Sequence, residues 1–274
     1  MPESIYISVV IPAKNEAANI SPLVLEILDC FSDRNDFEII YIDDGSTDDT
    51  YAQIMALHCT YPTKVQLVQH QMSVGQSTAI HSGVQYARGK LIVTLDADGQ
   101  NNPADIPLLL KHAQAFKLAA SAELTPMQDF CIAGYRKARK DTAWKRFQSK
   151  VANGVRAKLL NDDTPDTGCG LKVFPKATFN KLPYFDHMHR YLPALIKRLD
   201  GKIVVVEVSH RDRQHGQSKY GMWGRLFAGL LDMLGVMWLQ KRNKRVSVTE
   251  TTYTAKAHTP KDTVKPISND SATH

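Results

Sequence analysis

The sequence predicts an α/β fold built on a mostly parallel, doubly wound sheet with helices on both faces, and two observations carry that prediction. Short apolar runs alternate with helical patterns through the first 116 residues, the alternation expected of strand–helix–strand units. Three of these runs then end in polar clusters. Residues 5–11 lead into Pro12-Ala13-Lys14-Asn15-Glu16, residues 37–42 into Asp43-Asp44-Gly45-Ser46, and the run Leu91, Ile92, Val93, Leu95 into Asp96-Ala97-Asp98-Gly99-Gln100. In an open α/β sheet ligands collect beyond the carboxyl ends of the strands, so one sheet edge is expected to hold the site.

The elements follow in order. Residues 16–29 read as a helix with Asn15 as N-cap and Leu23, Ile27 and Leu28 on one face. Segment 44–50 is a turn and helix start, with Ser46 or Thr47 capping and Asp48 and Asp49 complementing the dipole. Residues 65–70 make the third strand. Gly75, Ala79, Gly83 and Ala87 then recur every four residues, a small stripe that lets a helix lie close to the sheet. Strand 91–95 follows Gly89-Lys90, and a helix over 103–116 is entered through Asn102-Pro103. Beyond 116 the pattern changes: a strand at 130–134, a basic segment to Lys140, and an amphipathic helix over 144–160 carrying Lys145, Arg146, Ser149, Lys150 and Asn153. A turn over 162–170, an inner strand at 171–174, a helix over 185–200 and a strand at 202–208 complete this part.

Candidate chemistry concentrates at the strand ends. Asp96, Asp98 and Gln100 lie at spacing two, so in an extended segment they point the same way. Two carboxylates and an amide oxygen suit a hard divalent cation, Mg2+ or Mn2+. A D-x-D alone fits a polar turn capping the next helix better than a cation site; its place at the end of a buried strand reverses that preference. Residues 210–220 form a glycine-containing loop dense in donors, as a mobile phosphate-closing lid requires. His187 and His189 have no evident third ligand and read as cleft wall.

Four motifs in sequence carry a family likeness: V-V-I-P-A-K-N-E at 9–16, D-D-G-S at 43–46, D-A-D-G-Q at 96–100, and His210 followed by G-Q-S-K-Y at 216–220. Over residues 5–221 the chain resembles the family 2 glycosyltransferases of the GT-A fold, and within them the polyprenyl-phosphate glycosyltransferases of the dolichyl-phosphate mannose synthase type. The resemblance implies that Pro12, Glu16, Asp44 and Asp96 lie beside the nucleotide, Asp44 being preferred to Asp43. It implies Asp96, Asp98 and Gln100 as metal ligands, and places Arg136, Arg146, Ser149, Arg213 and Lys219 on the diphosphate and acceptor phosphate, with Ser218 beside them in the lid. Lys145 lies four residues before Ser149 and Arg146 three, so either matches the family's cation. Asp166 and Thr167 fall on the acceptor-site turn. The implied activity is inverting, metal-dependent transfer of a sugar from a GDP- or UDP-sugar to a polyprenyl (dolichyl or undecaprenyl) phosphate. Two alternatives stand beside it: transfer to a soluble or protein hydroxyl with Asp166 as base, and a catalytically silent nucleotide-sugar-binding protein.

Composition sets the remaining bounds. The chain has 274 residues, 43% hydrophobic and 23% charged, enough for one substantial core. A net charge of +6 and a pI near 9.0 favour anionic partners such as nucleotide diphosphates and lipid phosphates without singling out nucleic acid. Cys30, Cys59, Cys131 and Cys169 show no CxxC spacing and are expected to be core thiols in a reducing cytoplasm. Residues 222–239, with Trp223 and Trp238 near the ends and Arg225 and Asp232 interrupting, make a poor membrane span and a good interfacial helix. The basic run 241–245 adds attraction to an anionic leaflet. The expected organisation is a catalytic domain over 1–221, an amphipathic membrane-interface helix with its basic flank over 222–245, and a disordered tail over 246–274. The protein would lie peripherally on the cytoplasmic face of the membrane, aided by a small integral-membrane partner.

Overall fold

The computed structural model describes residues 4–123, 128–136, 154, 156, 159–162, 164–211 and 222–242. Its strands are β1 (Ile7–Ala13), β2 (Phe37–Asp44), β3 (Val65–His70), β4 (Leu91–Thr94), β5 (Phe130–Tyr135), β6 (Lys172–Pro175) and β7 (Lys202–Glu207). They form one sheet in the order β3-β2-β1-β4-β6-β5-β7. β6 alone runs against its neighbours, antiparallel to both β4 and β5. All eight residues of β2 are buried, as expected of a parallel strand covered on both faces.

Two cores lie against the two faces. Helices α1 (Ala17–Cys30), α2 (Thr50–Thr60) and α4 (Ile106–Glu123) pack Ile20, Ile27, Ile54 and Leu109 against Val9, Ile39 and Val93. On the other face α3 (Gln76–Tyr86), α5 (Lys176–Phe179), α6 (Leu192–Lys197) and α7 (Met222–Lys241) close over Val10, Ile42, Ile92 and Phe174. The small stripe does the expected packing. A Cβ on Gly83 would fall 2.5 Å from Val10 Cγ1 and 2.6 Å from Ile42 Cδ1, so α3 lies as close as a glycine allows.

Several local expectations change. Asn15 does not cap α1; it takes a left-handed φ of 53° and spends its side chain on Thr47, accepting from Thr47 N at 2.8 Å. α2 begins at Thr50, and Asp48, not Ser46 or Thr47, accepts from Thr50 N at 3.0 Å. The helix expected over 185–200 is broken. His187 is left-handed, Met188–Arg190 is a 3-10 turn, and α6 starts only at Leu192 because Pro193, lacking an N–H, fits the first helical turn and not the interior. The thiols also divide: Cys131 and Cys169 are buried, Cys30 is half-buried and Cys59 is exposed.

α7 docks by one face. Met233 and Val236 are buried, Gln240 donates to Leu160 O and Ala194 O, and Arg198 Nε donates to Leu239 O at 2.9 Å. Tyr191 donates to Gly229 O, and His187 Nδ1 lies 2.9 Å from the Asp232 carboxylate. The helix therefore belongs to the compact unit Met1–Arg242. Its outward side exposes Leu230, Leu231, Leu234 and Trp238. Among the described residues no helix is long and apolar enough to cross a membrane.

Candidate functional site

The carboxyl ends of β1 and β2 are sewn together. Asn15 N donates to Ser46 Oγ at 3.0 Å, and Glu16 N donates to Thr50 Oγ1 at 2.8 Å. Gly45 makes the turn that follows β2 possible: its φ is 63°, and a Cβ there would lie 2.6 Å from the backbone of Met72 and Ser73. Pro12, paired with Ile42, sits just past the end of the β1–β4 ladder, where its missing N–H costs no bond to β4. Glu16 accepts from Asn19 Nδ2 at 2.7 Å.

The two aspartates of D-D-G-S differ sharply. Asp44 accepts from His70 Nδ1, Ser73 Oγ, Val74 N and Gly75 N, all at 2.8–3.0 Å. Burial alone would raise its pKa, but these donors outweigh it and hold the carboxyl below the usual range. Asp44 thus ties the β3–α3 loop to β2. Asp43 accepts from Ser46 N through one oxygen, and its buried Oδ2 has no hydrogen-bond partner among the described residues.

Asp96 and Asp98 follow β4. Asp96 Oδ1 accepts from Gln76 Nε2 at 2.8 Å, and its other oxygen rests against Gly170, where a Cβ would come within 2.2 Å. Burial, then the charge of Asp98, pushes Asp96 up to about 6, with Lys172, Arg136 and Gln76 pulling the other way. Asp98 accepts from Gln100 N at 3.1 Å, closing the turn at Gly99. Two neighbouring carboxylates, one raised by the other, suit a cation. Among the described residues no group of three His, Cys, Asp or Glu side chains could hold one, so an ion here would complete its shell with ligand oxygens and water.

The 162–172 turn is locked from three sides. Arg136 forms a bidentate, buried pair with Asp166, Nε at 2.7 Å and a terminal nitrogen at 3.0 Å, and Asp166 also accepts from Gly168 N. Arg156 donates to Thr167 Oγ1 and Thr164 O. Lys172 donates to Thr167 O at 3.4 Å and to Cys169 O, while Thr94 Oγ1 donates to Gly170 O at 2.7 Å. Lys172 lines a small pocket with Gln76, Thr94, Asp96, Gly170 and His189. His189 is held by Ser77, and burial, followed by nearby cations, lowers it to about 3, so it is neutral.

The root of the late motif reaches the same edge. His210 bridges Asn101 in antiparallel fashion, Arg211 N donates to Gln100 O at 3.0 Å, and the Arg211 side chain reaches Glu26 and Asn102. Pro12, Glu16, Asp44, Asp96, Asp98, Gln100, Arg136 and Asp166 thus all belong to the segments that end at this edge, whereas Lys145, Arg146, Ser149, Arg213, Ser218 and Lys219 lie outside the described residues. Sequence reasoning missed Gln76, Arg156 and Lys172. Lys172 had one signal, a lone lysine inside the inner-strand run L-K-V-F.

Residues 8–182 match the family model for glycosyl transferase family 2. The dodecaprenyl-phosphate galacturonate synthase of Rhizobium johnstonii is 32% identical over 247 residues, 89% of this chain and 70% of its own length. The undecaprenyl-phosphate 4-deoxy-4-formamido-L-arabinose transferase of Edwardsiella ictaluri is 30% identical over 220 residues, 79% of this chain and 63% of that protein, so the chain spans under two thirds of it. A mannosyltransferase from Pyrobaculum calidifontis, solved with GDP-Man and Mn2+, superposes with a TM-score of 0.58 over 90% of this chain and 68% of its own, at 17% identity. That likeness establishes the GT-A fold, and the match over 8–182 makes the chain a member of glycosyl transferase family 2.

Proposed function

We propose that the protein transfers a sugar from a nucleoside diphosphate sugar to a polyprenyl phosphate, with inversion at the anomeric carbon, at the cytoplasmic face of a membrane. The observation that carries this reading is the carboxylate pair Asp96–Asp98 at the end of β4, set beside an Asp166 that is already spent. A hydroxyl acceptor needs a general base, and the carboxylate available on the acceptor turn accepts from Arg136 and Gly168 instead. A lipid phosphate is anionic near neutral pH and needs positioning, not deprotonation. Two relatives with 30–32% identity are named for polyprenyl-phosphate products, which supports the same acceptor class.

Asp96 and Asp98 would hold a divalent cation, with Gln100 beside them. Bound there, Mg2+ or Mn2+ would act as a Lewis acid that stabilises charge on the departing diphosphate. Pro12 and Glu16 border the nucleotide. Asp43, whose Oδ2 lacks a partner among the described residues, takes the nucleoside role better than the saturated Asp44. Arg136 serves the site through Asp166 and the turn it braces. Arg146, Ser149, Arg213 and Lys219 remain the candidates for phosphate contacts.

The acceptor cannot leave its bilayer, and α7 offers the means of reaching it. Leu230, Leu231, Leu234 and Trp238 are each at least half exposed, and Lys241 and Arg242 follow at the helix end. An apolar strip with a basic flank suits an anionic membrane surface. The test uses the full chain with undecaprenyl phosphate, Mn2+ or Mg2+, and a panel of UDP- and GDP-linked sugars. A cation-dependent, organic-extractable sugar product is expected; donor hydrolysis alone, or transfer only to soluble hydroxyls, would overturn the reading.

A further inference from the structure

Two cations are buried beside Asp96, and they are balanced differently. Arg136 is neutralised by a bidentate carboxylate. Lys172, only 4% exposed, has backbone carbonyls as its hydrogen-bond acceptors, and among the described residues no carboxylate lies within ion-pairing distance of it. Burying an ammonium without a counter-anion is costly, so its presence calls for an anion brought by something else. Asp96 is the nearby acid whose charge Lys172 feels, but the two make no direct ion pair. It lines the same pocket, but its oxygens face Gln76 and Gly170, and its charge is the one a cation would claim. The rest of the lining is uncharged: Gln76, Thr94, His189 held by Ser77, and the apolar walls Ile80, Leu95 and Leu192.

We propose that this pocket receives the carboxylate of an acidic donor sugar and that Lys172 is the residue that selects it, so the donor is a nucleoside diphosphate hexuronate. The inference rests on the glycosyltransferase reading above. The donor chemistry is simple: a donor whose diphosphate lies at Asp96 and Asp98 carries its sugar on the terminal phosphate through one bridging oxygen, so the ring stands next to Asp96, which is itself a wall of this pocket. The pocket is small, with room for about one carboxylate oxygen and none for the ring. A neutral hexose would bring only a hydroxymethyl group and leave the ammonium uncompensated. Sites built to bond a particular polar group discriminate strongly against analogues that lack it.

The experiment compares Mn2+-dependent binding and transfer of UDP-galacturonate and UDP-galactose, and of UDP-glucuronate and UDP-glucose, by the full chain. The wild type is expected to favour the uronates. Lys172→Met should lower the uronate-to-hexose ratio about 10- to 100-fold, the range of a lost charge-assisted hydrogen bond, and Lys172→Arg should retain most of it. Melting curves establish that both variants fold, and Lys172→Gln replaces Met if it does not. A wild type that favours hexoses, or a ratio unmoved by Lys172→Met, overturns the proposal while leaving the glycosyltransferase reading intact. Equal losses for both donors with a raised KM for undecaprenyl phosphate also overturn it, assigning the ammonium to the acceptor phosphate. Because calorimetric donor binding needs no acceptor, a chain that binds uronates selectively but transfers nothing to polyprenyl phosphate would sink the acceptor assignment alone.

Discussion

Gly170 determines where Asp96 can stand. A methyl group there would lie 2.2 Å from one carboxylate oxygen, so Gly170→Ala must push Asp96 aside. We expect Mn2+-dependent donor binding to fall at least about tenfold, the cost of roughly 1.4 kcal/mol of misplaced ligand, with circular dichroism unchanged; wild-type binding in that variant would show that Asp96 is not held from this side. Asp96 also yields a pH prediction. Its folded pKa of about 6 lies above the unfolded value of about 3.9. The cation-free folded protein therefore holds this proton more tightly than the unfolded chain, and the group destabilises progressively as pH rises from about 4 through about 6. In chelator, Asp96→Asn should raise the melting temperature at pH 7.5 by about 2–4 °C and give no gain at pH 4, whereas equal shifts at both would rule out a charge effect. At this scale the sequence announced the acids but not their partners. Asp43 and Asp44 look alike in D-D-G-S, and only the fold brings Ser73, Val74 and Gly75 to one of them. Lys172 sits in the run read as an inner strand, yet only the placement of β6 between two neighbours shows that its ammonium is buried.

The strand–helix units to residue 116 were legible because each is a local pattern with its own period. What followed was not, since pairings such as β4–β6 join residues about 80 positions apart, and no local pattern encodes strand direction. The interrupted segment 185–200 failed for a related reason: His187 and Tyr191 meet their demands on α7, at Asp232 and Gly229. Two predictions belong here. Asp166→Ala leaves Arg136 buried without its carboxylate and should cost about 3–5 kcal/mol, whereas replacing both residues by apolar ones of similar volume should recover most of it; denaturant unfolding of the wild type and these two variants measures this. On α7, Leu234→Glu with Trp238→Glu alters only exposed positions, so the melting temperature should hold while flotation with anionic vesicles is lost. Undiminished flotation would assign the exposed strip to another use.

At the scale of the whole molecule, donor and cation should act together on stability. A ligand at 100 times its Kd adds about 2.7 kcal/mol, so a bound nucleotide sugar with Mn2+ should raise the melting temperature by about 5 °C or more, and chelator should remove the gain. A shift indifferent to chelator would separate nucleotide binding from the carboxylate pair. The sheet order carries a final consequence. β1 to β4 pair among themselves and are complete by residue 94, yet Asp96 leans on Gly170, and Gln100 and Asn101 are fastened by Arg211 and His210. During synthesis the amino-terminal half can collapse early on local contacts, while the cation loop stays unsupported until more than a hundred further residues have left the ribosome. A nascent chain is thus expected to acquire its nucleoside end long before its reacting end, and one stalled short of residue 211 would hold a half-built site that cannot consume a donor.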